Sequence, residues 1–223
     1  MRSRAFGSLI VAVIAGCCLA RAGHAFVGQQ APAIDSAKRE KLSAPAQLTE
    51  RAPELFLTRF DTSNGSFEIE THRDWSPRGA DRFYNLVKNG FYDDCRVFRV
   101  IRQFVAEFGI NGDPEIEKAW AGATIADDTV RQSNTRGFVT FMKAAPDSRS
   151  TRVFINVANN TFLDESYSPF GQITAGMEVV DGFYAGYAGE PQKQIAQIRA
   201  EGNAFLNRRF PKLDYILRAT IVR

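Results

Sequence analysis

The segment from Val97 to Gly109 constrains the fold most strongly, because it is a long apolar run with a single cation near its start. Its β-branched and aromatic residues favour strands, and the Arg102-Gln103 pair divides the run into two strand-like halves. A guanidinium such as that of Arg99 is costly on a strand otherwise fit for burial. The segment therefore predicts two strands and marks Arg99 as a candidate functional residue.

Residues 1–25 have the layout of an export signal. Two arginines, Arg2 and Arg4, precede an apolar stretch that ends near Ala20, and small residues follow up to Ala25. The apolar stretch is too short and too poorly flanked to predict a membrane span. We expect cleavage after Ala25 and export of the protein to the periplasm or the medium, with no membrane span in the mature form.

A second processing route is open at Cys17. The run Ile14-Ala15-Gly16-Cys17 resembles a bacterial lipobox, in which Cys17 would become the lipidated first residue of a membrane-anchored lipoprotein. A third alternative is that the leader is retained as a membrane anchor. After cleavage before Phe26, Cys95 is the only cysteine left, so no intramolecular disulfide can form. We expect Cys95 to be a small buried residue.

The mature chain is electrically balanced and rich in apolar residues. Residues 26–223 carry 25 basic and 25 acidic side chains, which gives no reason to expect nucleic acid as a partner. Apolar residues make up 44% of the chain, and 18 residues are phenylalanine, as expected for a folded globule.

Residues 26–52 lack an apolar period and predict a flexible linker, whereas residues 53–223 carry the patterning of one folded domain. Ser76-Pro77 opens a helix that runs up to Gly90, a second helix begins near Met177, and residues 111–136 predict an irregular loop. A further helix is predicted over residues 191–210, weakened by Gly202. Strands are predicted at 54–60, 66–70, 97–101, 104–108, 137–142, 153–157, 168–174 and 213–222. Many short strands separated by turns favour a β-barrel or sandwich with helices packed at its ends.

Several kinds of chemistry are excluded by what the chain lacks. After cleavage, His72 is the only histidine, so neither a serine or cysteine triad nor a conventional zinc site can be assembled. We expect His72 to be a surface residue. No glycine-rich loop that cradles phosphates is present. We therefore expect no metal and no cofactor.

Four motifs, in order along residues 53–223, resemble the cyclophilin peptidyl-prolyl isomerases. The opening segment is similar to the family's Phe-His-Arg-Val-Ile-x-Gly-Phe-Met-x-Gln-Gly-Gly, with Arg99 at the catalytic arginine. The other three are Gly137-Phe138-Val139-Thr140-Phe141-Met142, Ser150-Thr151-Arg152-Val153-Phe154-Ile155, and Phe162-Leu163-Asp164 followed by Phe170-Gly171. The resemblance implies a mainly β fold, a closed eight-stranded antiparallel barrel capped by two helices, here with a C-terminal helical insertion at 186–212.

The resemblance also implies a site for proline-containing polypeptides. The barrier to rotation about an X-Pro bond, about 18–20 kcal/mol, comes from amide resonance. Twisting localises the lone pair on the proline nitrogen, and a fixed guanidinium aimed there binds the twisted state more tightly than either planar isomer. Arg99 would have this role. The substrate-binding residues implied are Phe104, Val105, Glu107, Met142, Phe154, Phe162, Leu163 and Tyr167. We expect a monomer.

The chain departs from the family pattern at several of these positions. Val105 replaces methionine, Phe162 replaces tryptophan, and Tyr167 falls at the position of the pocket histidine. Glu107 replaces a glutamine, and an ionised carboxylate there cannot donate a hydrogen bond but can pair with Arg99. Cationic residues that could relieve the added charge, Lys143 and Arg152, stand at an asparagine and a glutamine position.

These departures predict activity below that of typical family members. The first hypothesis is an exported prolyl isomerase that assists the folding of exported proteins. The alternative is a module that binds proline peptides, or acts as a chaperone, with little catalysis.

Overall fold

The computed structural model describes Met1 and residues 36–222. The remainder of the predicted export signal, including Cys17, and the first part of the predicted linker lie outside the described residues. Among the described residues, no helix is long and apolar enough to cross a membrane.

Eight antiparallel strands form one sheet, in the order β3-β4-β6-β5-β7-β2-β1-β8. The two-residue turn Ser63-Asn64 joins the first two strands, and Gly65, the first residue of β2, has a positive φ of 124°. The strands are β1 Leu55–Thr62, β2 Gly65–His72, β3 Arg99–Ile101, β4 Val105–Phe108, β5 Phe138–Phe141, β6 Val153–Asn156, β7 Pro169–Ala175 and β8 Ile216–Ile221.

The sheet is an open half-barrel, so the expected closed barrel is wrong. Strands β3 and β8 are the two ends of the sheet, and no ladder joins them. The chain just before β3 approaches the start of β8 through one isolated bridge, Arg96 to Tyr215. In it the Val97 amide donates to the Asp214 carbonyl at 2.8 Å and the Ile216 amide to the Cys95 carbonyl at 2.9 Å, and the Asp94 amide donates to the Ile216 carbonyl at 2.8 Å. Because β3 is only three residues long, the pairing does not continue into a ladder.

The strands β3, β4, β6 and β5 separate an apolar inner face from an outer face. Successive residues of a strand point to opposite faces of the sheet. The pairing aligns Val100, Ala106, Ile155 and Val139 across these four strands, and all four belong to the main core. The alternate residues, which include Arg99 and Glu107, therefore lie on the outer face.

In the described part of the chain, six α-helices accompany the sheet: α1 Ser36–Leu42, α2 Pro77–Lys88, α3 Pro114–Trp120, α4 Met177–Asp181, α5 Ile195–Glu201 and α6 Asn203–Arg209. Helix α2 packs Phe83 against Phe60 and Phe170 of the core, with ring centroids 6.1 and 4.7 Å apart. Pro77 takes the first turn as predicted, but the Ser76 hydroxyl donates to Asp128 Oδ2 at 2.6 Å and does not cap the helix. Cys95 is fully buried, as predicted, and burial raises the pKa of its thiol.

Helix α3 interrupts the region 111–136, which the sequence predicts to be an irregular loop. The side chain of Asp113 accepts a hydrogen bond from the Glu115 amide at 2.9 Å and caps the helix. At the other end of α3, Trp120 is buried in the main core. The short helix was missed because Asn, Gly, Asp and Pro at 111–114 favour turns as strongly as helix starts.

Residues 36–52 are ordered on the domain, which differs from the predicted flexible linker. Leu42 is fully buried, and its carbonyl accepts a hydrogen bond from Trp120 Nε1 at 2.8 Å. Lys38 Nζ lies 2.6 Å from Asp93 Oδ2. The segment has no clear apolar period because Leu42 is the one buried residue of its helix, and the other contacts are polar ones to residues distant in sequence.

The C-terminal insertion forms a second small core beside the sheet. The predicted helix over 191–210 is a 3₁₀ turn, Pro191–Gln194, followed by α5 and α6, which are separated at Gly202. A Cβ at Gly202 would lie 2.1 Å from the Gly112 carbonyl oxygen, so only glycine fits there. The second core consists of Phe98, Ile110, Ile198, Phe205, Leu206, Phe210 and Leu213.

Candidate active site

Strand register places Arg99 outside the core. Arg99 pairs with Glu107 between β3 and β4, and Glu107 pairs with Phe154 between β4 and β6. Residues directly opposite each other share a face of the sheet, so these three side chains form a row on the outer face. The Arg99 guanidinium, whose burial in the apolar core would be costly, therefore lies outside that core.

Arg99 and Glu107 form an ion pair at the centre of this row. Arg99 Nη1 lies 3.1 Å from Glu107 Oε2, and the guanidinium carbon lies 5.3 Å from the ring centroid of Phe104. The Glu107 side chain has no exposed surface, whereas that of Arg99 keeps 15%. Arg99 Nε is buried and has no hydrogen-bond partner among the described residues. The guanidinium is thus held on one side and retains unpaired donors.

Arg152 binds the other oxygen of the same carboxylate. Its Nε donates to Glu107 Oε1 at 2.9 Å, and its Nη2 donates to the same oxygen. Lys143, the other cation predicted to relieve the charge of Glu107, instead lies 2.6 Å from Asp127 Oδ2. Only one of the two predicted cations therefore contacts Glu107.

Aromatic and aliphatic side chains line the outer face beside Arg99. Val105 and Phe154 are almost fully buried, and the Phe154 ring meets the edge of the Tyr167 ring at 5.8 Å. Phe162 is 66% exposed and stacks on Phe104, with ring centroids 5.9 Å apart. These five residues form an apolar surface beside Arg99, called the groove below, and Phe162 is its most exposed member.

The two remaining predicted residues lie at the margins of the groove. Leu163 is half-buried in the 3₁₀ turn Thr161–Leu163, where its carbonyl accepts the Tyr167 amide at 2.9 Å. The Met142 amide donates to the Arg152 carbonyl at 2.9 Å, and Met142 lines a cavity together with Arg152. The structure therefore gathers the other predicted residues around Arg99 and sets Met142 on the Arg152 side.

The sequence did not point to a buried amide network beneath the groove. Asn160 Nδ2 donates to the Phe104 carbonyl and to Asn156 Oδ1, both at 2.8 Å. Asn156 Nδ2 in turn donates to Asn134 Oδ1 at 3.3 Å, and Asn134 Nδ2 donates to the Tyr167 carbonyl at 2.9 Å. The network ties the backbone of two groove residues to β6. Asparagines at 134 and 160 are equally typical of turns, so no sequence signal distinguished them.

Asp164 fastens the loop that carries Phe162 and Tyr167. It accepts hydrogen bonds from the Ser133 hydroxyl at 2.5 Å and from the Asn134 amide at 2.7 Å. Burial raises the pKa of Asp164, but these hydrogen bonds outweigh burial and leave the pKa below its usual range. The carboxylate is therefore a pH-sensitive support of the groove.

No group of three or more histidine, cysteine or acidic side chains in the part of the chain that the structure describes could hold a metal ion. His72, predicted to be a surface residue, is half-buried: it stacks on Trp75 at 3.8 Å, and its Nε2 lies 3.0 Å from Glu70 Oε1.

Comparison with known proteins agrees with this arrangement. The family model of the cyclophilin type peptidyl-prolyl cis-trans isomerases matches residues 57–201. A peptidyl-prolyl cis-trans isomerase of Acinetobacter baylyi is 35% identical over 131 residues, which is 56% of this chain and 70% of the relative. A peptidyl-prolyl cis-trans isomerase-like 1 protein of Rhizopus delemar is 32% identical over 123 residues, 54% of this chain and 74% of that protein.

Solved structures show the same fold. Two crystal structures of a Cryptosporidium parvum cyclophilin type peptidyl-prolyl cis-trans isomerase, one in the presence of the dipeptide Ala-Pro, each match with a TM-score of 0.57. Sequence identity is 16% and 17%, and the matches cover 76% and 75% of this chain and 98% and 99% of the other. Together with the family model and the curated relatives, the fold and the groove identify this chain as an enzyme of the cyclophilin-type peptidyl-prolyl cis-trans isomerase family.

Proposed function

We propose that this protein catalyses cis-trans isomerisation of X-Pro bonds in exported polypeptides, at the groove centred on Arg99. The observation that carries the proposal is the position of the Arg99 guanidinium. It is fixed by Glu107 on one side, lies over the Phe104 ring, and keeps a buried Nε without a hydrogen-bond partner among the described residues. The crystal structure of the related parasite protein with Ala-Pro supports a proline peptide as the ligand.

The chemistry follows from what a twisted amide needs. The planar amide nitrogen is a poor hydrogen-bond acceptor, and it becomes a better one only as rotation removes the resonance of the peptide bond. A preorganised cation therefore stabilises the twisted state selectively, and no acid, base or cofactor takes part. The apolar groove of Phe104, Val105 and Phe154 holds the proline ring.

We also propose that turnover is lower than in family members that carry glutamine in place of Glu107. The carboxylate occupies one Arg99 nitrogen at 3.1 Å and cannot donate a hydrogen bond to a substrate backbone when ionised. Replacement by glutamine restores a donor and releases the guanidinium. Glu107→Gln is therefore expected to raise kcat/KM.

The test measures cis-trans exchange of an X-Pro peptide by NMR or by a coupled protease assay. Arg99→Ala is expected to lower kcat/KM by about 10²–10³-fold, the usual effect of removing one preorganised transition-state donor. Arg102→Ala is the matched control, because Arg102 is an exposed arginine three residues away, and it is expected to keep wild-type rates. Equal rates for wild type and Arg99→Ala would contradict the proposed role.

A second function is favoured by the same ion pair. If Glu107 holds Arg99 too tightly for catalysis, the groove binds proline peptides without accelerating exchange. Peptide binding with no exchange in wild type or in Glu107→Gln would support this binding module instead of the isomerase.

The cellular setting is also a proposal, based on the leader. We propose export, with cleavage after Ala25 and a monomeric mature protein, and lipidation at Cys17 as the alternative. Mass spectrometry of the mature N-terminus separates the two cleavage sites and retention of the leader, since a diacylglycerol on Cys17 adds a characteristic mass. Light scattering measures the oligomeric state.

A further inference from the structure

We propose that Arg152 is a positioning residue of the active site. By binding one oxygen of Glu107, it limits the hold of that carboxylate on Arg99 and keeps the Arg99 guanidinium available to the substrate. The inference rests on the proposed isomerase function.

The contacts divide the carboxylate between two arginines. Arg152 donates to Oε1 from both Nε and Nη2, whereas Arg99 reaches Oε2 through Nη1 alone. Two guanidinium nitrogens bound to a single oxygen leave that oxygen little capacity for a third donor. Arg99 is therefore confined to one hydrogen bond with Glu107, where a free carboxylate would accept a fork of two.

Because the Glu107 carboxylate is buried, the way its two oxygens are shared between Arg152 and Arg99 determines how strongly it binds Arg99. Glu107 has no exposed side-chain surface, and both arginines keep only 15% of theirs. A buried carboxylate that loses one cationic partner turns its full charge onto the other, since water cannot replace the lost hydrogen bonds. Without Arg152, Glu107 would form a two-point pair with Arg99 and neutralise it.

The net charge of Arg99, Glu107 and Arg152 indicates that the substitutions at positions 107 and 152 compensate each other. Two guanidinium groups and one carboxylate carry one net positive charge, the same as an arginine with two glutamines, which the family pattern places at these three positions. Glu107 alone would cancel the charge of Arg99, and Arg152 restores it. The two departures from the pattern are therefore complementary.

The fold holds Arg152 where it can do this. Its guanidinium carbon lies 5.5 Å from the ring centroid of Phe98, and its carbonyl accepts the Met142 amide at 2.9 Å. Phe98 belongs to the second core, which consists mainly of residues from the C-terminal insertion and the segment after it. The C-terminal insertion thus packs around Phe98, the ring on which Arg152 lies. In this way the insertion acts on the active site through Arg152 and not by contact with the substrate.

The test is a double-mutant cycle on exchange kinetics. Arg152→Gln is expected to lower kcat about tenfold with little change in KM, because binding of the planar substrate does not use the freed charge of Arg99. Adding Glu107→Gln to that variant is expected to restore the rate to the level of Glu107→Gln alone. Arg59→Gln is the matched control: it removes an arginine that pairs with Asp61 on β1, near the other end of the sheet, and is expected to keep the kcat of the wild type.

The outcomes separate this proposal from others. A purely structural role for Arg152 predicts that Arg152→Gln lowers kcat by the same factor in the Glu107→Gln background as in wild type. That result would overturn the proposal, as would a fully active Arg152→Gln protein. Arg152→Lys retains the charge but offers one nitrogen in place of the two that bind Glu107, and it is expected to give an intermediate kcat. The proposal therefore stays testable if the glutamine variant fails to fold. Absence of exchange in wild type and in Glu107→Gln would instead refute the proposed function itself.

Discussion

Strands β3, β4 and β6 present two faces with opposite chemistry. On the inner face, Ala106, Phe108 and Ile155 pack in the main apolar core. On the outer face of the same strands, Arg99 and Glu107 form an ion pair beside an apolar groove. One residue along the chain is enough to move from one environment to the other.

Alternate residues of the same short segment therefore carry the packing that stabilises the fold and the side chains to which we assign the proposed activity. The inner face stabilises the fold by burying apolar area, which is insensitive to charge and pH. The outer face keeps a cation preorganised at a cost in desolvation that the ion pair offsets. Substitutions on the two faces should therefore separate the free energy of unfolding from kcat/KM.

The largest effect is expected on the inner face. The Phe108 ring is fully buried, with centroids 5.6 Å from Phe60 and 5.4 Å from Tyr92. Phe108→Ala is expected to lower the free energy of unfolding by about 3–5 kcal/mol, because it leaves a cavity in the core. Urea denaturation measures this loss. Exchange rates per folded molecule should stay within a few-fold of wild type; a stable but inactive variant would break the separation of the two faces.

A smaller effect on the free energy of unfolding is expected at Asp164, the carboxylate that fastens the loop beside the groove and whose charge depends on pH. Asp164→Ala removes hydrogen bonds to Ser133 and Asn134 and is expected to cost about 2 kcal/mol of unfolding free energy at neutral pH. Because folding lowers the pKa of Asp164, its stabilisation is present above the unfolded value of about 3.9 and is lost as the pH falls through the folded value.

Denaturation curves measured from pH 7 down to acid test this sign. The difference between wild type and Asp164→Ala should shrink as the pH falls below about 3.9. The deficit of Phe108→Ala should not shrink in this way, since no titrating group is removed. A difference at Asp164 that grows toward acid would contradict the assignment.

The smallest effect is expected at the rim of the groove. Phe162 is 66% exposed, so Phe162→Ala should change the free energy of unfolding by no more than about 0.5 kcal/mol. Loss of the ring that stacks on Phe104 should weaken peptide binding about two- to fivefold, measured by titration calorimetry. Leu55→Ala is the matched control, an exposed apolar residue on β1 that should leave binding unchanged.

Much of the fold was predictable from local pattern. Each strand was predicted within a few residues, because alternation in β2 and the apolar runs of β4 and β6 are strong periodic signals. The helix after Ser76-Pro77 was predicted from the proline and the apolar face that follows. Helix α1 and helix α3 were missed, since both are seven residues long and are held by tertiary contacts around Trp120.

The closure of the sheet was not predictable in the same way. The resemblance implied a closed barrel, but closure depends on whether β3 and β8 are long enough and near enough to form a ladder. Among the described residues, one isolated bridge, Arg96 to Tyr215, joins the two edges of the sheet. The edge strands β3 and β8 are far apart in sequence, so no local sequence pattern indicates whether they pair.

The sequence by itself determined the family resemblance and the residues on which the proposed chemistry depends. Arg99 in an apolar, aromatic segment and the four motifs that follow the cyclophilin pattern in order depend only on residue identity. The tertiary structure alone decided how Glu107 divides its oxygens between Arg99 and Arg152. That division depends on the register of β3, β4 and β6, because residues 45 positions apart meet only when the strands pair.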